Sequence, residues 1–583
     1  MSKEIDRKEI RFAFHLPSNH NRDDTHYVKE QIYYKDGTSK PNTFITENFE
    51  RPVWVTTKGK QNYRDKKEFS PQSDLNKATC TQSDLNRTTA RLLDKPYLAN
   101  RRDELKDSPF VYGYDITSSS LIKYTSLKKN NFISSPYTIA AFDLETSTDE
   151  NDRDILMGSV VMKSDKGYIL RFAVWEKYLE GIQDMEAKLD IAMKTYLPNH
   201  YDKIELITTR HKSQVDLVKA LFKTANEWAP DFLSIWNMSF DIEVILNTLE
   251  KANIRLTDVL CDQSLPDHLR YCRYKKGPTK KVTESGVVKP INPSLQWHTL
   301  YTTSKFWVID AMCTYRQLRM HLPEQPRYSL DHILNITLGH GKLNFDKASH
   351  IRENTKRWHD FMQSQYPIEY MVYNFYDVIG MLELDDVTGD LTSSLGSYAG
   401  ITDFDQFASS GAKARDDLFL FGLTEDLVIG TSPPFKNGDD VTTDNIPDSE
   451  YEEDEDDSYE NPDDFDVLSL RNWIQLLPQN LLINNRESGG LKIFSDFPEM
   501  RTNARGLTVD ADKVSAYPSV TSSCNVSKET TNGELISVDG VREEVFRQQN
   551  LGVCLGTVNT LEYFEVMFNL PPIDKLLDVI DAL

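Results

Sequence analysis

The stretch AAFDLETST, residues 140–148, decides how the rest of the chain reads. Ala140, Ala141 and Phe142, preceded by Ile139, are the residues of a buried strand, and that strand ends in Asp143 and Glu145. Side chains at i and i+2 leave the same face of a strand, so both carboxylates point at one spot. They repel each other there unless something positive sits between them. A divalent metal ion is the natural candidate.

The neighbouring sequence supplies a frame for such a site. TIAAFDLE, ILMGSVVM and GYILRFAV read as three successive strands, and KIELITT as another. SQVDLVKALFKTANEW has helical periodicity. DFLSIWN then reads as a buried strand, followed by a helix whose apolar face is Ile242, Ile245, Leu246 and Leu249. A meander of strands followed by alternating helices and strands is an α/β layer arrangement.

Two more carboxylates belong to the same frame. The run NMSFDIEV places Asp241 in the first turn of that last helix, beside the C-terminal edge of the sheet. YMVYNFYDVIGMLEL reads as a helix with Tyr373 and Asp377 on one face and Val372, Phe375, Ile379 and Leu382 on the other. Four converging carboxylates cost several kcal/mol each unless cations neutralise them. Hard oxygen ligands select Mg²⁺ or Mn²⁺. Two such ions about 4 Å apart suit in-line displacement at a phosphodiester, one activating water and the other stabilising the leaving oxygen. Tyr373 is placed to hold the attacking water in line.

Bulk properties narrow the classes. At 583 residues the chain exceeds one ordinary core, and length points to three or four domains. With 39% hydrophobic and 27% charged residues it has a globular composition, and no apolar run reaches the roughly 18 residues of a membrane span. The charged N-terminus MSKEIDRKEIRFAFHL lacks a secretory h-region, so no membrane partner is expected. Cys80, Cys261, Cys272, Cys313, Cys524 and Cys554 form no C-x-x-C pair, which argues against a zinc module or a disulfide framework. The net charge of −23 looks unfavourable for nucleic acid, but 15 Asp and Glu and no Lys or Arg stand between Asp439 and Asp466. The rest carries only −8, compatible with positive charge confined to a groove. That acidic stretch, with few aliphatic residues, reads as a disordered insertion at about 436–466. The echo QSDLNK (72–77) and QSDLNR (82–87) is too short to make a repeat architecture. RYCRYKKGPTKK (270–281) and RPVWVTTKGKQNYRDKK (51–67) interleave cations with aromatics, a pattern that can neutralise phosphates and stack bases.

The set D-x-E (Asp143, Glu145), N-x-x-F-D (Asn237 to Asp241) and Y-x-x-x-D (Tyr373 to Asp377) resembles the motifs of DEDDy 3′-to-5′ proofreading exonucleases, which have a ribonuclease H-like fold. RYSLDHILNITLGHGKLNFD (327–346), YNFYDV (373–378), TQSDL (81–85) and VYGYDI (111–116) are similar to family B replicative DNA polymerases of T-even-like phages. The resemblance implies that Asp143, Glu145, Asp241 and Asp377 bind two Mg²⁺ (or Mn²⁺) per site. Farther on, GLTVDADKVSAYPSV reads as a strand ending in Asp512 with a stiff turn after it, and D-x-x-S-x-Y-P-S is similar to motif A of the family B palm. By that likeness Asp512 and the Lys513 carbonyl bind metal, Ser515 and Tyr517 bind the nucleotide, and Tyr517 excludes a ribose 2′-hydroxyl. Ala516 stands where the family usually has Leu, which implies a looser pocket.

The fingers motif K-x-x-x-N-x-x-Y-G and the palm motif D-T-D do not occur in these residues. The expected organisation is therefore the N-terminal portion of a family B polymerase, split or truncated. It comprises a polymerase N-terminal domain over 1–135, a ribonuclease H-like exonuclease over 136–390, a return to the N-terminal domain with the acidic insertion over 391–489, and an α+β palm segment over 490–583. The implied partners are primer-template DNA, deoxynucleotides, a second chain carrying the remaining palm, fingers and thumb, and a sliding clamp. The implied location is the cytoplasm of an infected bacterium. The rival readings are a free-standing DEDDy exonuclease, for which Asp512 is dispensable, and a non-catalytic DNA-binding scaffold of a replisome. A scaffold has no physical reason to keep four mutually repelling carboxylates together.

Overall fold

The computed structural model describes residues 3–430 apart from 17–23, 65–66, 68, 98–101, 150–152, 283–287, 321, 353–354 and 397–399. The chain divides after Glu450 into two units, and every described residue lies in the first. The acidic stretch, Asp512, Lys513, Ser515, Ala516 and Tyr517 lie outside the described residues.

Three N-terminal strands, β1 (Ile5–His15), β2 (Thr25–Tyr34) and β3 (Ser39–Glu47), form an antiparallel sheet. The central sheet follows with β4 (Ile139–Thr146), β5 (Ile155–Ser164), β6 (Gly167–Trp175), β7 (Ile204–His211), β8 (Phe232–Ile235) and β9 (Trp307–Asp310). Its order is β7-β6-β5-β4-β8-β9. β5 runs antiparallel to β4 and β6, and every other neighbouring pair is parallel. Parallel neighbours need crossovers, which the helices between these strands provide. This mixed α/β sheet is consistent with the ribonuclease H-like fold that the motifs imply.

The helices explain why β4 reads as an apolar run. α1 (Gln214–Trp228) starts at Ser213, whose hydroxyl accepts the Asp216 N–H at 3.1 Å. Leu217, Val218, Leu221, Phe222 and Ala225 form its buried stripe, packed in one core with Ala140, Phe142 and Leu144. The alternate residues Ile139 and Ala141 enter a second core on the other face of the sheet. With both faces covered, a strand loses the polar-apolar alternation of a half-solvated one. Gly158, paired with Leu144, is needed because a Cβ there would collide with Leu144 and Leu221.

α2 (Met238–Lys251) follows β8, and α3 (Ala311–Gln317) follows β9. The second core is built around α6 (Pro367–Thr388), held between the sheet and three shorter helices, Met185–Tyr196, α4 (Leu330–Leu338) and α5 (Lys356–Gln365). α6 is buried on all sides from Tyr370 to Leu382, on the face of Tyr373 and Asp377 as well as on that of Val372, Phe375, Ile379 and Leu382. Neighbours cover Tyr373 and Asp377 as fully as the aliphatic residues.

The N-terminal sheet shares this core: Phe12 and Phe14 meet Trp307 at ring separations of 5.9 and 6.0 Å. Beneath them Asp231, just before β8, accepts Arg11 Nε at 3.1 Å and the Thr138 N–H at 2.9 Å, with Lys29 Nζ 3.0 Å from its other oxygen. The last described elements, α7 (Ser410–Thr424) and the strand Leu427–Ile429, return to residues near the start of the chain. Phe419 meets Trp54, and Leu427–Ile429 pairs with Phe69–Pro71.

The basic stretch 51–67 needs correction. Arg51–Thr56 is the central strand of a three-stranded sheet, and Arg51 is fully buried, donating to Gln82 at 2.7 Å and the Gly113 carbonyl at 2.6 Å. Lys58 and Lys60 pair with Asp94 and Asp74. The half 51–56 is therefore core, while Lys58, Lys60, Arg64 and Lys67 in the other half are exposed. In 270–281, Arg273, Lys275, Lys280 and Lys281 are exposed, while Arg270 binds backbone carbonyls and Lys276 pairs with Glu243. Among the described residues no helix is long and apolar enough to cross a membrane.

Candidate active site

The odd-numbered residues of β4 face α6, and this puts Asp143 and Glu145 against that helix. Asp143, Glu145 and Asp377 each present a carboxylate oxygen within 4.8 Å of the others. Asp241 arrives from α2. Asn237, between β8 and α2, adopts a left-handed conformation (φ 61°) that Asn tolerates better than most residues, and the turn it makes brings the first turn of α2 beside β4. Asp241 Oδ1 there accepts the Leu144 N–H at 3.2 Å. Asn237 does not cap α2 with its side chain. Asp310, at the end of β9, accepts Met238 N–H at 2.8 Å and Cys313 N–H at 2.9 Å, so one buried carboxylate caps both α2 and α3.

Sequence reasoning missed several partners. Lys342, in the loop after α4, places its ammonium 2.6 Å from Asp377 Oδ2 and 3.1 Å from the Tyr373 hydroxyl. Asn374 donates to Asp143 Oδ2 at 2.7 Å and accepts from the Ser159 hydroxyl at 2.5 Å. The Tyr370 hydroxyl donates to Glu145 Oε2. Tyr370 and Asn374 each stand three residues before a residue already singled out, Tyr373 and Asp377. That helical spacing was a usable signal, since it puts all four on neighbouring positions of α6. Lys342 gave no such signal, because 31 residues separate it from Tyr373.

The charges do not balance within the chain. Burial, then the charge of Asp377, pushes the Asp143 carboxyl up to about 7, against the pull of Lys342 and Asn374. Burial and the Asp143 charge drive Glu145 and Asp241 well above the usual carboxylate range. Burial also raises Asp377, although Lys342 opposes it. Lys342 loses from burial but gains more from Asp377, Tyr373 and Asp143, so it stays charged. Among the described residues, this one ammonium faces four carboxylates. Asp377 Oδ1 is buried without a hydrogen-bond partner, so the site retains a hard oxygen donor with nothing to bind. An all-oxygen donor set with a surplus of negative charge fits Mg²⁺ or Mn²⁺.

Of the residues singled out in the sequence, Asp143, Glu145 and Asp377 are brought together, Asp241 lies against them, and Tyr373 is joined to Asp377 through Lys342. Asp512, Lys513, Ser515 and Tyr517 lie outside the described residues. No curated protein sequence matches the chain. Residues 92–333, less than half of the chain, match the family model described as DNA polymerase family B, exonuclease domain. The matched stretch includes β4 to β9 with Asp143, Glu145 and Asp241, and ends before Lys342, Tyr373 and Asp377. On this match, the chain carries a family B DNA polymerase exonuclease domain.

Proposed function

We propose that this chain is the 3′-to-5′ proofreading exonuclease of a phage-type family B DNA polymerase, with Mg²⁺ (or Mn²⁺) held by Asp143, Glu145, Asp241 and Asp377. The observation that carries the reading is the convergence of Asp143, Glu145 and Asp377 within 4.8 Å, with one ammonium beside them, in a chain matching that exonuclease domain. When bound, such ions lower the pKa of a water and stabilise charge on phosphate oxygens. The chain's own groups set the geometry. Asn374 orients Asp143, and the Leu144 amide orients Asp241. The Lys342 ammonium, beside Tyr373 and Asp377, offers a charge-assisted donor to a phosphate oxygen, and Tyr373 bounds the space where the attacking water must sit. Phe240, next to Asp241, is 38% exposed with the Arg153 guanidinium 5.0 Å from its ring, a pairing suited to stacking an unpaired base. The exposed cations of 270–281 are proposed to track the DNA backbone.

The same reading takes residues 1–135 and 391–489 as the polymerase N-terminal domain and 490–583 as a palm segment. Its Asp512 and Lys513 carbonyl would hold metal, and Ser515 and Tyr517 would hold the incoming nucleotide. DNA synthesis then needs the remaining palm, fingers and thumb as well, and a sliding clamp is an expected partner, in the cytoplasm of an infected bacterium. The test is to incubate the chain with a 5′-labelled primer on a template in Mg²⁺, with and without the four deoxynucleotides. Shortening in both, lost in Asp143→Ala, supports the reading; no shortening, or shortening that survives Asp143→Ala, contradicts it. Lengthening would place a complete polymerase site in these residues.

A further inference from the structure

Hydrolysis as outlined leaves one arrangement without a role, the hydrogen-bonded chain behind Glu145. The Tyr370 hydroxyl gives its proton to Glu145 Oε2. A phenol has a single proton to donate. His359 Nδ1, 2.8 Å from that oxygen, and Gln363 Nε2, 3.2 Å from it, therefore face it as donors. With Glu145 ionised, as a metal ligand is, His359 is the tautomer protonated on Nδ1. The Gln363 amide also donates to the Thr146 carbonyl at 2.8 Å, which ties α5 to the end of β4. The phenol cannot swing away. Tyr370 is 0% exposed, its ring stacks on Tyr373 at 5.7 Å and 5°, and Trp358 lies 6.3 Å from it.

The consequence falls on Glu145. A free glutamate can chelate an ion with both oxygens or rotate to offer either one. Here Oε2 carries the hydrogen bond from the phenol, which disfavours Oε2 as a second metal ligand and favours Oε1. We propose that Tyr370, seated by His359 and Gln363, is a positioning residue that confines Glu145 to one oxygen toward a divalent ion. This rests on the reading of the carboxylates as a metal centre. Partners that orient a ligand in this way are typically worth ten- to a hundredfold in metal affinity or activity.

The test is Mn²⁺ binding to the full chain without DNA, read from the electron paramagnetic resonance signal of free Mn²⁺. The 15 carboxylates of 439–466 add weak binding of their own, so the site's share is the part lost in Asp143→Ala. Tyr370→Phe keeps the ring and removes only the hydroxyl, and is expected to raise the Mn²⁺ dissociation constant of that share by roughly ten- to a hundredfold. In a Glu145→Gln background the same change is expected to add no further loss, since the hydroxyl acts through the glutamate. Gln363→Ala and His359→Ala are expected to weaken binding in the same direction by smaller factors, and they carry the test if Tyr370→Phe does not fold. Asp143-dependent binding left unchanged by Tyr370→Phe, or weakened equally with and without Glu145, overturns the proposal alone. No Asp143-dependent binding in the unmodified chain overturns the metal-centre reading and this proposal together.

Discussion

Asp231 and Asp143 stand at opposite ends of the same pair of parallel strands, and the chain treats them in opposite ways. Asp231 lies before β8, at the end where the N-terminal sheet docks. Burial works against its charge, but the Lys29 ammonium and Arg11 guanidinium outweigh it and hold the carboxyl below its usual range. Asp143 lies near the other end, in β4, beside three more carboxylates and one lysine, and its carboxyl is pushed up to about 7. Both are acids removed from water; only the first is compensated by the chain. A fold that balances a buried charge at one end of a sheet and leaves a deficit at the other marks the second end as the place where something must bind.

The comparison can be broken most sharply by exchanging the two losses. Asp143→Ala is expected to lower exonuclease activity by more than about a thousandfold, since metal stabilisation of the reacting phosphate is worth several kcal/mol. The metal-free protein should keep its stability or gain some, because a mutual repulsion has been removed. Asp231→Ala should do the reverse. It leaves the buried Lys29 ammonium with backbone carbonyls alone and Arg11 with Glu9, and is expected to cost roughly 3–5 kcal/mol in urea unfolding, while the protein that remains folded cleaves DNA normally. If Asp231→Ala abolished cleavage without loss of stability, the division of labour between the two ends would be wrong.

A third test uses pH. The Asp143 carboxyl is held near 7 in the native state against 3.8 when unperturbed, so between those values the folded, metal-free chain keeps a proton that the unfolded chain has released. Its stability should therefore fall as pH rises from about 4 to about 7, and Mg²⁺ should offset the fall, as thermal unfolding with and without a chelator can show. Binding an ion displaces that proton. Glu145 and Asp241 are raised as well, so Mn²⁺ affinity should climb by at least about tenfold per pH unit below 7. The smallest effect concerns the resident ammonium. Lys342→Met removes a cation 2.6 Å from Asp377 and should tighten Mn²⁺ binding by on the order of tenfold, measured by titration.

Local rules carried the sequence reading a long way. Strand periodicity located β4 to β6, helical periodicity located α1, and the two-residue spacing of Asp143 and Glu145 put both on one face, as observed. What those rules could not reach was the identity of the neighbours. Tyr373 and Asp377 sit on a helix that other elements cover entirely, and a 3.6-residue pattern cannot distinguish a covered polar face from a wet one. Lys342 reaches Asp377 across 35 residues of chain, and Glu145 reaches Tyr370 across 225, distances over which sequence spacing says nothing. Arg51 misled for the opposite reason. Its charge suggested solvent or DNA, while the Gly113 carbonyl and the Gln82 side chain accept its protons within the core.

The most direct measurement is an anomalous difference map from crystals of the chain soaked in Mn²⁺. The metal-centre reading predicts a peak among Asp143, Glu145 and Asp377, with Lys342 displaced from Asp377 or turned toward Tyr373. No peak there at saturating Mn²⁺, with Lys342 still bound to Asp377, would contradict it.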